Sequence, residues 1–207
     1  MTTPKATYNL SKGAKEFADN GAFLTIKSMN TKDNIVKFAA FLTSFSQSWS
    51  SNWNTEEVYG RVDPIATFQG TKRTVELAFD VPSAFLTQAQ NAMKQCETLV
   101  QFLYPSYIKP KNSKGNKGRI ISKPPLVSVK FANLIQENGK GLLGYLSGIE
   151  WRPDLEMGMF QQGKGEKAKF YPKVITLSFT LNVLHQYDKG WKAERSATWY
   201  GKGFFGG

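Results

Sequence analysis

Few residues in this chain have the type and spacing that chemistry requires. The one histidine, His185, closes a long alternating stretch. No serine, cysteine or paired carboxylate stands at motif spacing to make it a general base, so its position fits a structural strand-end residue better. Asp154 and Glu156 are two residues apart, as a carboxylate pair or metal site would be, but they follow Pro153 and lack further ligand types. Turn capping is the expectation there. Gly139-Lys140-Gly141 and Gly163-Lys164-Gly165 are too short to cradle a phosphate, which takes more glycines ahead of a helix opening with Lys and Ser or Thr. Cys96 is the sole cysteine, so it forms no internal disulfide, and with one histidine it completes no zinc set. The sequence points away from an enzyme: no catalytic, cofactor-binding or metal residue is expected, and no cofactor.

The elements that would position such residues read as mainly strand. A chain of 207 residues with 41% hydrophobic content can bury a sizeable core. A single domain over residues 1–207 is expected, with an N-terminal arm over about 1–20, a basic loop over 109–123 and a C-terminal tail over about 186–207. No run nears 18 apolar residues and the first residues lack a signal-peptide core. The expectation is a protein made in a cytoplasm, with no membrane insertion.

Two short apolar runs, 22–27 and 34–42, suggest strands joined by a turn. Residues 43–57, TSFSQSWSSNWNTEE, keep no sustained period and read as an ordered loop or extended arm, anchored by Trp49 and Trp53. From Thr71, Val75, Leu77 and Phe79 alternate with Thr74, Glu76, Ala78 and Asp80, the period of a half-buried strand. Pro82 ends that ladder and Ser83 or Thr87 is placed to cap a helix. Phe85, Ala89, Ala92, Cys96, Leu99 and Leu103 then form one apolar helical stripe, which makes Cys96 a core residue, before Tyr104-Pro105 stops the helix.

Val127, Val129 and Phe131 share a strand face after Pro124-Pro125. Gly144 and Gly148 mark a bulged or closely approached strand that ends at Arg152-Pro153-Asp154. Residues 155–173 suit a long hairpin connection. The clearest strand runs from Val174 to His185, where Ile175, Leu177, Phe179, Leu181 and Val183 alternate with an uncharged, hydroxyl-rich face of Thr176, Ser178, Thr180 and Asn182. The aromatic tail is expected to dock on something rather than form a helix.

The net charge is +11, and Lys109, Lys111, Lys114, Lys117, Arg119 and Lys123 gather in one Pro/Gly/Ser/Asn-rich stretch without an acid. Such a stretch reads as a solvated loop or an arm that orders against a neighbouring subunit; phosphate contact is the alternative. High aromatic content, 14%, with long Gly/Lys loops, favours a binding or assembly role over a free-standing monomer.

Tyr59-Gly60-Arg61-x-Asp63-Pro64-Ile65, followed by Thr71-x-Arg73 and the strand–helix unit, resembles the tube-initiator and baseplate-hub proteins of contractile phage tails and related injection systems. Tyr104-Pro105, Pro124-Pro125, the Gly148-Ile149-x-Trp151-x-Pro153-Asp154 turn, and Tyr171-Pro172-Lys173 leading to Leu184-His185 continue the likeness in order, over roughly residues 55–190.

The resemblance implies an α+β, mainly β fold: a tail-tube-like β-sandwich or half-barrel with one long amphipathic helix outside and extended arms and loops. It implies a structural virion protein of the tail baseplate, synthesised in the host cytoplasm. There it would form a homohexameric ring that initiates or adapts the tail tube. DNA would pass through the channel without specific binding, and the neighbours would be tail tube protein and other baseplate hub or wedge proteins. Thr176, Ser178, Thr180 and Asn182 would then face the channel, and Tyr59, Gly60, Arg61, Asp63, Pro64 and Arg73 would serve a turn or a subunit interface. The peptidoglycan-binding LysM module that many such relatives append is not evident here. The basic loop would sit outside the channel, against a partner protein. The rival readings are a single-stranded or non-specific nucleic-acid binder, with Trp49, Trp53 or Trp199 stacking on bases, and a neck or tail-completion protein of similar fold.

Overall fold

The computed structural model describes residues 23–30, 34–39, 41–108, 119–137, 139–186, 189–191 and 199–200. Alternation of apolar and polar residues along its strands builds one large antiparallel sheet. Its strands are β1 (Leu24–Ser28), β2 (Ile35–Phe38), β3 (Phe41–Glu56), β4 (Ile65–Pro82), β7 (Val127–Phe131), β8 (Leu142–Pro153) and β11 (Val174–Val183). They lie in the order β2-β1-β7-β8-β11-β4-β3. Three two-stranded ribbons complete the described strands: β5 (Ser106–Ile108) with β6 (Ile120–Lys123), β9 (Met159–Gln162) with β10 (Lys169–Pro172), and β12 (Gly190–Trp191) with β13 (Trp199–Tyr200). The chain is thus mainly β with a single described helix, α1 (Leu86–Gln101).

One face of the large sheet is apolar and α1 closes it. Ala92, Cys96, Leu99 and Phe102 join Leu77, Phe79, Ile175, Leu177 and Phe38 in one buried cluster. Phe79 sits between Phe38 and Phe179, with ring centroids 5.4 Å and 6.2 Å apart and tilted or edge-on geometry. Cys96 lies on the buried stripe, and burial pushes its thiol up to about 12.

The helix ends differ from the expected pattern. Neither Ser83 nor Thr87 caps it: Phe85 is the N-cap residue and its side chain makes no capping bond. The Gln88 carboxamide accepts the Ala84 N–H at 2.8 Å instead, which satisfies a donor just ahead of the first turn. Phe85 is exposed, and Phe102 rather than Leu103 completes the buried stripe.

Three other segments depart from the sequence reading. Residues 43–56 of the Ser/Asn/Trp segment are strand, not loop: β3 runs 16 residues and pairs with β4 along nearly its whole length. The pairing supplies order that a Ser/Asn/Trp sequence does not advertise, because both faces of its outer half are solvent-exposed and no alternation is needed. Residues 119–123 of the basic stretch belong to β6 and its approach rather than to a loop. The connection from β8 to β11 carries its own ribbon and a 3-10 turn (Gly165–Lys167).

The expected irregularity of β8 is present. Thr180 pairs with Gly148 and Leu181 with Leu146, so Ser147 is an extra residue, a bulge whose hydroxyl donates to the Thr180 carbonyl oxygen at 3.4 Å. At Gly144 the backbone of β11 passes so close that a methyl group would run into the Asn182 carbonyl oxygen and the Leu181 side chain. Gly144→Ala is therefore expected to destabilise by ~1–3 kcal/mol through overpacking, whereas Gly148→Ala, which meets nothing within 4 Å, should be near neutral. Paired denaturant titrations of the two variants check this.

Candidate functional site

Three surfaces emerge, and the first is the uncovered face of the sheet. Directly opposed residues across β3, β4, β11 and β8 form rows on that face: Phe41, Asp80, Thr176 and Arg152; Ser44, Ala78, Ser178 and Glu150; Ser46, Glu76, Thr180 and Gly148; Ser48, Thr74, Asn182 and Tyr145. Thr176, Ser178, Thr180 and Asn182 are half-buried at its centre, as their alternation predicts. Their neighbours bring charge that the strand alone does not show. The Thr176 hydroxyl donates to Asp80 Oδ1 at 2.7 Å, Ser178 to Glu150 Oε2 at 3.2 Å and Ser46 to Glu76 Oε2 at 3.4 Å. Hydrogen bonds from Arg152 and Ser178, together with the Arg152 charge, hold the exposed Glu150 carboxyl below the usual carboxylate range. Ser44, Glu76, Ser147, Glu150, Ser178 and Thr180 rim an open depression of about 580 Å³. Across these four strands the face is hydroxyl-rich, with Glu76, Asp80 and Glu150 against Arg152, while its other half, on β1, β2 and β7, exposes Lys27, Lys37 and Lys130.

The second surface is a hairpin arm. Beyond Arg73 and Trp49, β3 and β4 leave the rest of the sheet and continue as a two-stranded ribbon whose residues are almost all exposed. Tyr59, Gly60, Arg61, Asp63 and Pro64 form its tip. Gly60 adopts φ +85°, and the Arg61 N–H closes the turn on the Val58 carbonyl oxygen at 3.2 Å, a geometry in which the third turn position favours glycine. Arg61 and Asp63 form no ion pair with each other; the described salt bridges lie elsewhere. Tyr59 and Val62 are fully exposed, at 105% and 101%. Lower on the arm, Trp53 stacks edge-on against Phe68 at 5.1 Å, and a register shift at Asn52 and Gly70 bends the ribbon.

The third feature lies at the base of the arm. Arg73 is separated from the tip residues by the length of the ribbon, is only 3% exposed, and belongs to a polar cluster on the helix-covered side. Its guanidinium donates from Nε to Gln47 Oε1 at 3.1 Å and from Nη2 to the same oxygen, and lies over the Trp49 ring at 5.4 Å. Gln47 in turn donates to the Leu134 carbonyl oxygen at 3.2 Å. Beside them Lys189 Nζ meets Glu137 Oε1 at 2.7 Å, with side-chain exposures of 12% and 6%. Burial lowers the Arg73 pKa and the Glu137 charge opposes that shift. Sequence reasoning singled out Arg73 but not Gln47, Glu137 or Lys189. No spacing signal joins these four, because β3, β4, the turn after β7 and the C-terminal segment meet only through the fold.

His185 borders this cluster. Desolvation lowers its pKa from 6.5, with the Lys189 and Arg73 charges adding to the shift and Glu137 opposing it. A histidine with a depressed folded pKa contributes stability above pH 6.5, and that contribution is lost as the pH falls through the folded value. Thermal midpoints measured from pH 7 to 4.5 should fall less for His185→Gln than for the unaltered chain. The difference should be small, because the ring is exposed.

The remaining candidates have structural roles. Asp154 Oδ1 accepts the N–H groups of Glu156 and Met157 at 3.0 and 3.3 Å, a turn cap as expected. Gly139, Gly163 and Gly165 adopt positive φ within turns. The Gly139 carbonyl oxygen takes a bond from Lys130 Nζ at 2.7 Å. No group of three potential metal ligands occurs among the described residues, and no described helix is long and apolar enough to cross a membrane. Lys109, Lys111, Lys114 and Lys117 lie outside the described residues, while Arg119 and Lys123 are exposed beside and on β6. Trp199 meets Trp191 edge-on at 5.2 Å, and this contact pairs the tail with itself.

No family model matches the chain, and no curated protein is similar to it.

Proposed function

We propose that this protein is a structural component of a contractile phage tail baseplate, or of a related injection system, and that copies of it form a ring that initiates or adapts the tail tube. The observation that carries this reading is the two-sided sheet. Its apolar face is closed by α1, its opposite face presents Ser, Thr and Asn rows across four strands, and among the described residues its outermost strands β2 and β3 have a paired neighbour on one side only. An open sheet edge is a liability for a free monomer and a joint for an assembly. Across β3, β4, β11 and β8 the hydroxyl rows carry Glu76, Asp80 and Glu150 against Arg152, which suits a wall past which DNA moves without adhering, since like charge repels phosphate. A ring of such sheets joined edge to edge with that face inward would carry α1 outward, the tail-tube-like arrangement this reading calls for.

The excess of acids on those four strands disfavours a nucleic-acid grip on that half of the face, and Trp49 and Trp53 are engaged by Arg73 and Phe68. The test is immunogold electron microscopy of intact particles with antibody to this chain. Label confined to the baseplate end of the tail is the expected result. Label at the neck moves the protein to the tail-completion class, and particles without label overturn a virion role.

A further inference from the structure

We infer that neighbouring copies of this chain engage head to tail through two unlike hairpins, the acidic tip of the β3–β4 arm on one copy and the basic β5–β6 ribbon on the next. This rests on the ring reading above and names the contact that would build the ring. At the tip, Glu56, Glu57 and Asp63 outnumber Arg61, and they surround the fully exposed Tyr59 and Val62. On the β5–β6 ribbon, Tyr107, Ile108, Ile120 and Ile121 are exposed beside Arg119 and Lys123. Residues 105–136 contain no acid at all. Each hairpin therefore couples exposed apolar side chains to charge of one sign, and the signs are opposite.

A two-stranded ribbon is marginally stable in water by itself, so both gain from a partner. The two cannot serve one another across a two-fold axis as a single self-complementary patch, because they are different surfaces. Contacts between different surfaces are heterologous and propagate in one direction, which closes into a ring when the rotation fits. The two hairpins spring from different strands of the sheet. The arm rises from β3 and β4 at one edge of the sheet, whereas β6 feeds β7, from which β3 is separated by β8, β11 and β4. Burying the apolar residues would supply affinity, and the charges would fix which surface meets which.

Charge reversal tests this without touching the core. One full-length variant carries Glu56→Lys and Glu57→Lys, so both of its hairpins are basic; a second carries Arg119→Glu and Lys123→Glu, which lowers the charge of residues 105–123 from +6 to +2 and makes β6 and its approach acidic. All four positions are exposed, and circular dichroism should show both variants folded. In sedimentation velocity at low salt, each variant alone is expected to associate more than about tenfold more weakly than the unaltered chain. An equimolar mixture should associate better than either variant alone, since the acidic arm of the second then meets the unaltered basic ribbon of the first. Rings formed equally well by each variant alone, or a mixture no better than its components, overturn the hairpin contact and leave the ring reading standing. An unaltered chain that stays monomeric at every concentration and salt overturns both.

Discussion

Replacing residues 52–70 with an Asn-Gly turn should leave a folded monomer that no longer forms rings. Ser51 and Thr71 are paired partners, so a two-residue type I′ connection joins them without changing the register of the sheet. The deleted residues contribute no buried side chain, while Trp49, Arg73 and the core rows from Gln47 and Val75 onward are kept. Surface changes of this kind stay within about 0.5 kcal/mol, and shortening a loop costs little entropy. Circular dichroism and thermal melting should therefore match the unaltered chain within a few degrees. Negative-stain electron microscopy should show rings for the unaltered chain and none for the shortened one. A shortened chain that still closes into rings would remove the arm from the assembly interface.

The second large effect concerns the cluster beneath the arm. Glu137→Ala removes the carboxylate that faces Lys189 and opposes the lowered pKa of Arg73, and both cations are left in a water-poor site. Breaking a buried pair from one side costs about 3–5 kcal/mol, because the remaining charge loses a carboxylate without regaining water. For a domain of this size that corresponds to a fall of roughly 6–20 °C in Tm. Glu150→Ala is the natural comparison. Its Arg152 partner lies 2.6 Å away, but the two side chains are 70% and 61% exposed, and solvent screening leaves such surface pairs little net effect on stability. Equal losses for the two variants would show that burial does not govern the Glu137 pair.

How much of this was legible in the sequence depends on whether the signal was local. The alternation of Ile175 to Val183, of Val75 to Phe79 and of Val127 to Phe131 located three strands and their buried faces, because burial on one side leaves a period of two. The spacing of Ala89, Ala92, Cys96 and Leu99 located the helix for the analogous reason. Residues 43–56 carried no such mark. Their outer half is exposed on both faces, so only pairing with β4 makes them a strand. The hydroxyl face was visible on one strand, but its acids Glu76, Asp80 and Glu150 enter only once register is known. The tip motif from Tyr59 to Pro64 read correctly as a turn, with Gly60 supplying the positive φ. That Arg73 belongs to a different site is a consequence of the long ribbon between them. Gln47, Glu137 and Lys189 are dispersed from position 47 to position 189, and nothing short of the tertiary structure joins them.

The central claim is that the hydroxyl-rich face lines the channel of a ring. Electron cryo-microscopy of the assembled ring tests it most directly. The account predicts a closed ring with Thr176, Ser178, Thr180 and Asn182 turned toward the axis, α1 on the outer wall, and sheets continuous across subunits at the β2 and β3 edges. A ring whose axis is lined by α1, or whose hydroxyl face is buried against another protein, would contradict it.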